Sequence, residues 1–88
     1  MNQNPAHGLP RSVKVFSTET CHHCVAAKRY MSEQGIEFED ADIIHDLEAR
    51  REMVLMTGQY GVPVIKVGSR AMVGWDPKEF QRLMAGGS

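Results

Sequence analysis

Apolar and polar residues alternate along the chain in a pattern that predicts seven elements of secondary structure. The stretch 13–17 is short, β-branched and aromatic, which predicts a first strand. The stretch "CHHCVAAKRYMSEQG" predicts a helix that ends at Gly35. In "IEFEDADI", residues 36–43, the alternation holds only at the beginning, so its first half predicts the second strand. The apolar side predicted for the first helix consists of Val25, Ala26, Tyr30 and Met31.

The second half of the chain predicts a helix followed by a hairpin. The stretch "LEARREMVLMTG" predicts a helix with Asp46 as its N-cap and Gly58 at its end. The runs "VPVIKV" and "RAMV" predict two strands, and Gly68 with Ser69 forms the two-residue turn between them. The apolar side predicted for this second helix consists of Leu47, Ala49, Met53, Val54 and Met56.

The last helix has a strong N-terminal signal and completes the predicted fold. Asp76 is its expected cap, Pro77 its first residue and Glu79 the capping-box partner of Asp76. The order of elements is therefore β-α-β-α-β-β-α, in which the first strand, helix and second strand form a right-handed parallel unit. A chain of 88 residues is too short for a second core. We therefore expect an α/β fold with one four-stranded mixed sheet.

Composition narrows the class of protein. Hydrophobic residues make up 42% and charged residues 24%, with a net charge of -1, which is typical of a soluble domain without a nucleic-acid-binding surface. No apolar run approaches the ~20 residues of a membrane span, and the first residues do not resemble a secretory signal. We expect a domain over 13–85, a flexible N-terminal tail over 1–12, a C-terminal tail over 86–88, and a cytoplasmic monomer.

Two cysteines carry the candidate chemistry. Cys21 and Cys24 are too close in sequence for a bridge between them to constrain the unfolded chain much, so the pair is a poor structural staple. A reactive or metal-binding pair in a reducing compartment fits better. The motif lies between the first strand and the first helix, where unpaired N–H groups carry partial positive charge. That charge stabilises a thiolate at Cys21.

The residues between the cysteines, His22 and His23, leave two interpretations open. A protonated imidazole beside Cys21 favours the thiolate, which stabilises the reduced form and makes the pair more oxidising. Alternatively, the four side chains are metal donors. One short turn cannot easily arrange them tetrahedrally around one zinc ion, although two chains could each give two thiolates. We prefer redox tuning, and we expect His45 to be a surface residue without a role.

The chain resembles the glutaredoxin family of the thioredoxin fold over nearly all of residues 13–85. Four landmarks carry the resemblance: the CxxC after the first strand, "TGQYGVPVI" before the third, the hairpin, and "VGWDP" before the last helix. The resemblance implies a dithiol thiol–disulfide oxidoreductase without a bound cofactor, in which Cys21 attacks a substrate disulfide and Cys24 resolves it. It also implies a cis peptide bond before Pro63, opposite the dithiol, and a Val62 backbone that pairs with the substrate.

The resemblance also implies which other residues meet the substrate. Gln59 keeps its place in the approach to the third strand, and Gly74 with Trp75 stands where the family has paired glycines. Asp76 would accept a hydrogen bond from the amino group of glutathione as well as cap the helix. The lysine that often precedes the family's active site is absent, and Tyr60 stands where an arginine is frequent, so we expect weak glutathione binding.

Two kinds of electron donor are consistent with the resemblance. Glutathione is one; the other is a thioredoxin-reductase-type flavoprotein, because "VGWDP" is also similar to the redoxins that serve ribonucleotide reductase. The expected substrates are disulfide-containing proteins or glutathione mixed disulfides. The alternative hypothesis is a dimer that carries a metal or an iron–sulfur cluster through Cys21.

Overall fold

The computed structural model describes residues 12–86 and contains seven elements. Their order confirms the predicted β-α-β-α-β-β-α arrangement. Apart from Ser12 and Gly86, the two predicted tails lie outside the described residues. Of the helices in this part of the chain, not one is long and apolar enough to cross a membrane. The elements are β1 (Val13–Ser17), α1 (His22–Glu33), β2 (Glu39–Asp42), α2 (Leu47–Thr57), β3 (Val64–Val67), β4 (Arg70–Val73) and α3 (Pro77–Met84).

The four strands form one mixed sheet in the order β2-β1-β3-β4. β2 is parallel to β1, whereas β3 is antiparallel to both β1 and β4. Phe16 near the end of β1 pairs with Val64 at the start of β3. One residue further out, Gly74 donates its backbone N–H to the carbonyl of Pro63 at 2.8 Å. The end of β1, the start of β3 and the end of β4 therefore meet at one edge of the sheet.

Apolar side chains form two clusters, one on each face of the sheet. Successive residues of a strand point to opposite faces, so Val15 belongs to one cluster and Phe16 to the other. α1 and α3 cover the first face with Ala27, Met31, Phe80 and Leu83. α2 covers the second face with Ala49 and Met53.

The buried side of α1 differs from the predicted one. The helix buries Cys24, Ala27 and Met31, whose spacing places them on one face. Val25, predicted to face the core, is 47% exposed, and Ala26 is exposed as well. Because Cys24 faces the sheet, its neighbour Val25 is turned outward, so the prediction was right only for Met31 among the fully buried positions.

β2 lies in the second half of the acidic stretch, so the prediction of a strand in its first half was wrong. Glu39–Asp42 pairs with β1 in parallel register. Ala41 is the one fully buried residue of this strand. β2 is an outermost strand of the sheet, and its other residues are acidic. Ile36 and Phe38 pack against the α1 and α3 cluster from a loop rather than from a strand. An outermost strand is held by backbone pairing and needs few apolar residues, so the alternation of apolar and polar residues gave the wrong position for β2.

The predicted caps are found on α2 and α3. Asp46 and Asp76 each accept a hydrogen bond from a backbone N–H of the first turn. Gly58 ends α2 with a φ of 71°, in the left-handed region that favours glycine. The predicted capping box of α3 is wrong, because Asp76 accepts from the Lys78 N–H rather than from the Glu79 N–H, and the Glu79 carboxylate accepts a hydrogen bond from Arg82 at 2.7 Å.

Candidate active site

The two cysteines lie at the start of α1, at the sheet edge where β1 ends. Cys21 is the N-cap of the helix, and its Sγ accepts a hydrogen bond from the backbone N–H of Cys24 at 3.1 Å. A serine or aspartate oxygen makes the same bond at other helix caps. Cys21 remains partly exposed, and the two sulfur atoms are not bridged. The positive end of the helix dipole is therefore directed at the sulfur that solvent can reach.

Cys24 is enclosed on the buried side of α1. Its exposed fraction is 0%. Burial, followed by the hydrogen bond with Cys21, raises the pKa of the Cys24 thiol to about 12, against smaller opposing effects of the Thr18 backbone and the Lys28 charge. Cys24 is thus a neutral thiol at rest, and Cys21 is the accessible sulfur of the pair.

The histidines of the motif do not join the cysteines around one point. His22 and His23 lie in the first turn of α1, and both are exposed. Within residues 12–86, one group of three or more candidate metal-ligating side chains has its ligand atoms within 4.8 Å of one another, and it contains neither cysteine. A single chain therefore does not form a four-ligand site from this motif. The hypothesis of a dimer that shares a metal or cluster stays a prediction. The one group of neighbouring candidate ligands within residues 12–86 consists instead of Glu19, Asp42 and His45.

His45 is a surface residue, as predicted, but it has a partner that the sequence did not reveal. Its Nδ1 lies 2.7 Å from the Oδ2 of Asp42 at the end of β2. The hydrogen bond and the charge of Asp42 raise the pKa of His45, and the same hydrogen bond lowers the pKa of Asp42. Both effects favour the ionised pair. Glu19, in the loop before Cys21, adds a weaker effect in the same direction on the pKa of His45.

The loop before β3 contains the Val62–Pro63 peptide bond, which is cis, as predicted. The preceding part of this loop is held by the side chain of Gln59. The Gln59 amide accepts a hydrogen bond from the Gly61 N–H at 2.6 Å and donates to the Gly61 carbonyl and to the Thr57 Oγ1, each at 3.2 Å. A Cβ on Gly61 would lie 2.8 Å from the Gln59 Oε1. Gln59 thus braces this loop, and its contact with substrate stays a prediction.

The "VGWDP" segment joins β4 to α3 at the same edge of the sheet. Gly74 has a φ of 91°, which glycine adopts without strain. The ring centroid of Trp75 lies 5.4 Å from that of Tyr30 and 5.5 Å from that of Phe80, so the indole packs on the α1 and α3 cluster. Asp76 is exposed and caps α3. The predicted substrate-binding roles of Gly74, Trp75 and Asp76 stay predictions. Because part of the Trp75 ring packs against Tyr30 and Phe80, only the rest of the ring could contact a substrate.

A hydrogen-bonded group next to the dithiol was missed by sequence reasoning. Ser17, at the end of β1, donates to the Asp40 Oδ1 at 2.8 Å. Lys28 Nζ donates to the Asp40 Oδ2 at 2.9 Å and contacts the Ser17 Oγ at 3.4 Å. We refer to Ser17, Lys28 and Asp40 as the Lys28 network. The available signal was the spacing of four residues between Cys24 and Lys28, which places two helical side chains on one face.

Comparison with known proteins agrees with this geometry. The glutaredoxin family model matches residues 13–72. A glutaredoxin-like 8.6 kDa protein in the rubredoxin operon of Clostridium pasteurianum is 35% identical over 72 residues, covering 82% of this chain and 96% of the relative. Glutaredoxin 3 of Escherichia coli is 31% identical over 65 residues, covering 74% of this chain and 78% of the relative.

A solved structure shows the same similarity at the level of the fold. The NrdH-redoxin of Escherichia coli superposes with a TM-score of 0.71 at 28% identity, covering 82% of this chain and 93% of that protein. Like the protein of Clostridium pasteurianum, it is described as glutaredoxin-like. The mixed sheet, the CxxC at the start of α1 and these matches show that the chain belongs to the glutaredoxin family, whose members are generally thiol–disulfide oxidoreductases.

Proposed function

We propose that this protein is a dithiol oxidoreductase in which Cys21 attacks a substrate disulfide and Cys24 resolves the product. The observation that carries this proposal is the contrast between the two sulfur atoms. Cys21 is partly exposed at the positive end of α1, whereas Cys24 is a buried thiol with a pKa raised to about 12. Only an accessible thiolate can attack a protein disulfide, while the resolving sulfur needs to reach no further than Cys21.

The reaction has two exchange steps. In the first, the Cys21 thiolate forms a bond to one substrate sulfur, and the other substrate sulfur leaves with the electron pair of the broken bond. In the second, Cys24 forms a bond to Cys21, and the first substrate sulfur leaves as a thiol. The substrate disulfide is thereby reduced by two electrons, and the Cys21–Cys24 pair is oxidised. An external donor then restores the dithiol.

We infer that proteins, rather than glutathione, are the preferred partners of this site. The stretch 17–20, just before the active site, lacks the lysine that the family often has there, and Tyr60 stands where an arginine is frequent. The Gln59 amide is engaged by its own loop. Each charge of glutathione requires a matching group in a tight site, and these positions supply no cation. The Escherichia coli NrdH-redoxin, a glutaredoxin-like relative, is described as having a thioredoxin-like activity profile, which supports the same inference.

The sheet edge around the dithiol offers a surface for such a partner. The backbone of Val62 precedes β3, and we propose that it pairs with an extended substrate segment through main-chain hydrogen bonds. Val25, the neighbour of Cys24, is 47% exposed, and Tyr60, in the loop before β3, is 63% exposed, so two elements that we expect to border the site present apolar side chains to solvent. Thioredoxin-reductase-type flavoproteins and disulfide-containing proteins are the partner classes that this surface favours, and glutathione is the slower donor.

Trapping the first intermediate tests the assignment of the two cysteines. Cys24→Ser should attack a peptide disulfide and stop at a mixed disulfide on Cys21, detected by intact mass. Cys21→Ser should form this adduct far more slowly, because Cys24 is buried. The doubly substituted protein is the control for non-specific labelling. A Cys21→Ser protein that forms a stable mixed disulfide on Cys24 at the rate of the Cys24→Ser protein would overturn the assignment.

A further inference from the structure

The Lys28 network combines one buried hydroxyl, one partly buried ammonium and one carboxylate, that of Asp40, whose side chain is 49% exposed. Ser17 is 2% exposed, and the Lys28 side chain is 26% exposed. The Asp40 carboxylate binds each of the other two groups with a different oxygen atom. Because every contact is made by residues of the packed sheet and helix, the Lys28 ammonium is held in place rather than extended into solvent.

This network and Cys24 are positioned by the same two elements, α1 and the end of β1. Lys28 follows Cys24 by one helical turn on the side of α1 that faces the sheet. Ser17 is the last residue of β1, and the backbone of the next residue, Thr18, lowers the pKa of the Cys24 thiol. The Lys28 ammonium and the Cys24 sulfur therefore both belong to α1, and both lie near the end of β1.

The enclosed position of Cys24 creates a difficulty for the second exchange step. The thiol must lose its proton to attack, yet a thiolate without water around it is poorly solvated. A fixed cation nearby offsets this cost, and charges interact more strongly in a protein interior than in water. The charge of Lys28 acts in this direction, since it lowers the pKa of Cys24 against the effect of burial.

We propose that Lys28, fixed by Asp40 and Ser17, stabilises the Cys24 thiolate that develops in the resolving step. The inference rests on the proposed function, and Lys28 is a positioning residue because it acts through Cys24. In this step the Cys24 Sγ–Cys21 Sγ bond forms and the bond from Cys21 to the substrate sulfur breaks. The electron pair of the broken bond leaves with that sulfur, which also receives the proton that Cys24 loses. No further oxidant is needed.

The two steps can be timed separately with an aromatic disulfide. One equivalent of the disulfide, mixed with reduced protein, releases one coloured thiol when Cys21 attacks and a second when Cys24 resolves. We expect Lys28→Met to slow the second release about tenfold and to leave the first unchanged. Lys28→Arg keeps the charge and should restore the second release to within about threefold of the unmodified protein. Arg29→Met, which removes an exposed charge from the next position of α1, is the matched control and should change neither release.

A substitution of Asp40 should change the rate of the second release in the opposite direction to Lys28→Met, and this distinguishes the inference from a merely structural role of the network. Asp40→Asn keeps a hydrogen-bond acceptor for Lys28 but removes the negative charge that is paired with the Lys28 ammonium. The charge of Lys28 then acts on Cys24 without this compensation, so the second release should become faster. A network that only braces the fold would give slower release in both Lys28→Met and Asp40→Asn, and this result would overturn the inference. So would a second release that Lys28→Met leaves unchanged. Absence of any second release from the unmodified protein would instead refute the proposed function.

Discussion

His22 and His23 are the two side chains between the sulfur atoms, and single-residue changes there should alter the redox equilibrium. Both are exposed in the first turn of α1. A protonated imidazole favours the Cys21 thiolate and hence the reduced form. We expect His22→Gln with His23→Gln to make the reduction potential more negative by about 30 mV, a tenfold change in the equilibrium constant. Equilibration with glutathione redox buffers at about pH 6, where imidazole is partly protonated, measures this shift.

His45→Gln is the control for this experiment. His45 carries the same imidazole group, but it is paired with Asp42 and does not lie between the cysteines. We expect its substitution to leave the potential of the dithiol unchanged. Equal potentials for the unmodified protein and the His22→Gln, His23→Gln protein from acidic to neutral pH would show that the two histidines do not tune the pair.

At the scale of elements, the loop between α2 and β3 depends on the fit of Gln59 against Gly61. A Cβ at position 61 would lie 2.8 Å from the Gln59 Oε1, which is the end of a flexible side chain. Gly61→Ala should therefore displace Gln59 and lose its hydrogen bonds to the loop, lowering the free energy of unfolding by about 1–2 kcal/mol. Chemical denaturation measures this loss.

The same contact gives an internal control through a double-mutant cycle. In a Gln59→Ala protein, the side chain that a methyl group at position 61 would displace is already gone. Adding Gly61→Ala to that protein should therefore cost much less than it does in the unmodified protein. Costs that simply add would contradict the prediction, because they would mean that Gly61 is needed for its backbone or for another neighbour rather than for space beside Gln59.

Elements whose signals are local could be predicted from the sequence. β1, α2 and α3 each carry their pattern and caps within a few residues, and all three were located correctly. β2 was misplaced because an edge strand is specified by its pairing with β1, which lies 25 residues earlier at the register pair Lys14 and Glu39. The resemblance to a known family, rather than periodicity, was needed to expect the cis bond before Pro63.

The parts of the site that the sequence did not reveal depend on distant contacts. The bonds of the Lys28 network join residues separated by 11, 12 and 23 positions. Lys28 therefore resembles any solvated lysine of a helix until β1 and β2 are placed beside it. The engagement of Gln59 by its own loop is likewise a matter of side-chain geometry. The sequence alone does not show whether the Gln59 amide is hydrogen-bonded within its loop or free to bind a ligand.

At the scale of the whole molecule, the choice of electron donor depends on the surface that surrounds the dithiol. Tyr60 is 63% exposed, and the guanidinium of Arg50 stacks over its ring at 5.2 Å from the centroid. A tyrosine hydroxyl cannot replace the two-pronged, charge-assisted contact of arginine with a carboxylate. The Arg50 guanidinium packs on the Tyr60 ring, and this exposed aromatic side chain suits a protein partner better than a small charged tripeptide.

We therefore expect the oxidised protein to be reduced faster by thioredoxin reductase with NADPH than by glutathione with its reductase. Thr18→Lys with Tyr60→Arg should raise the glutathione-dependent rate about tenfold to a hundredfold, because the restored charge-assisted contacts together contribute ~1.5–3 kcal/mol. Thr18→Gln with Tyr60→Gln changes the same side chains without adding charge and should not increase that rate. Saturation of the unmodified protein by low millimolar glutathione, at rates equal to those with thioredoxin reductase, would show that the absent cations do not limit binding.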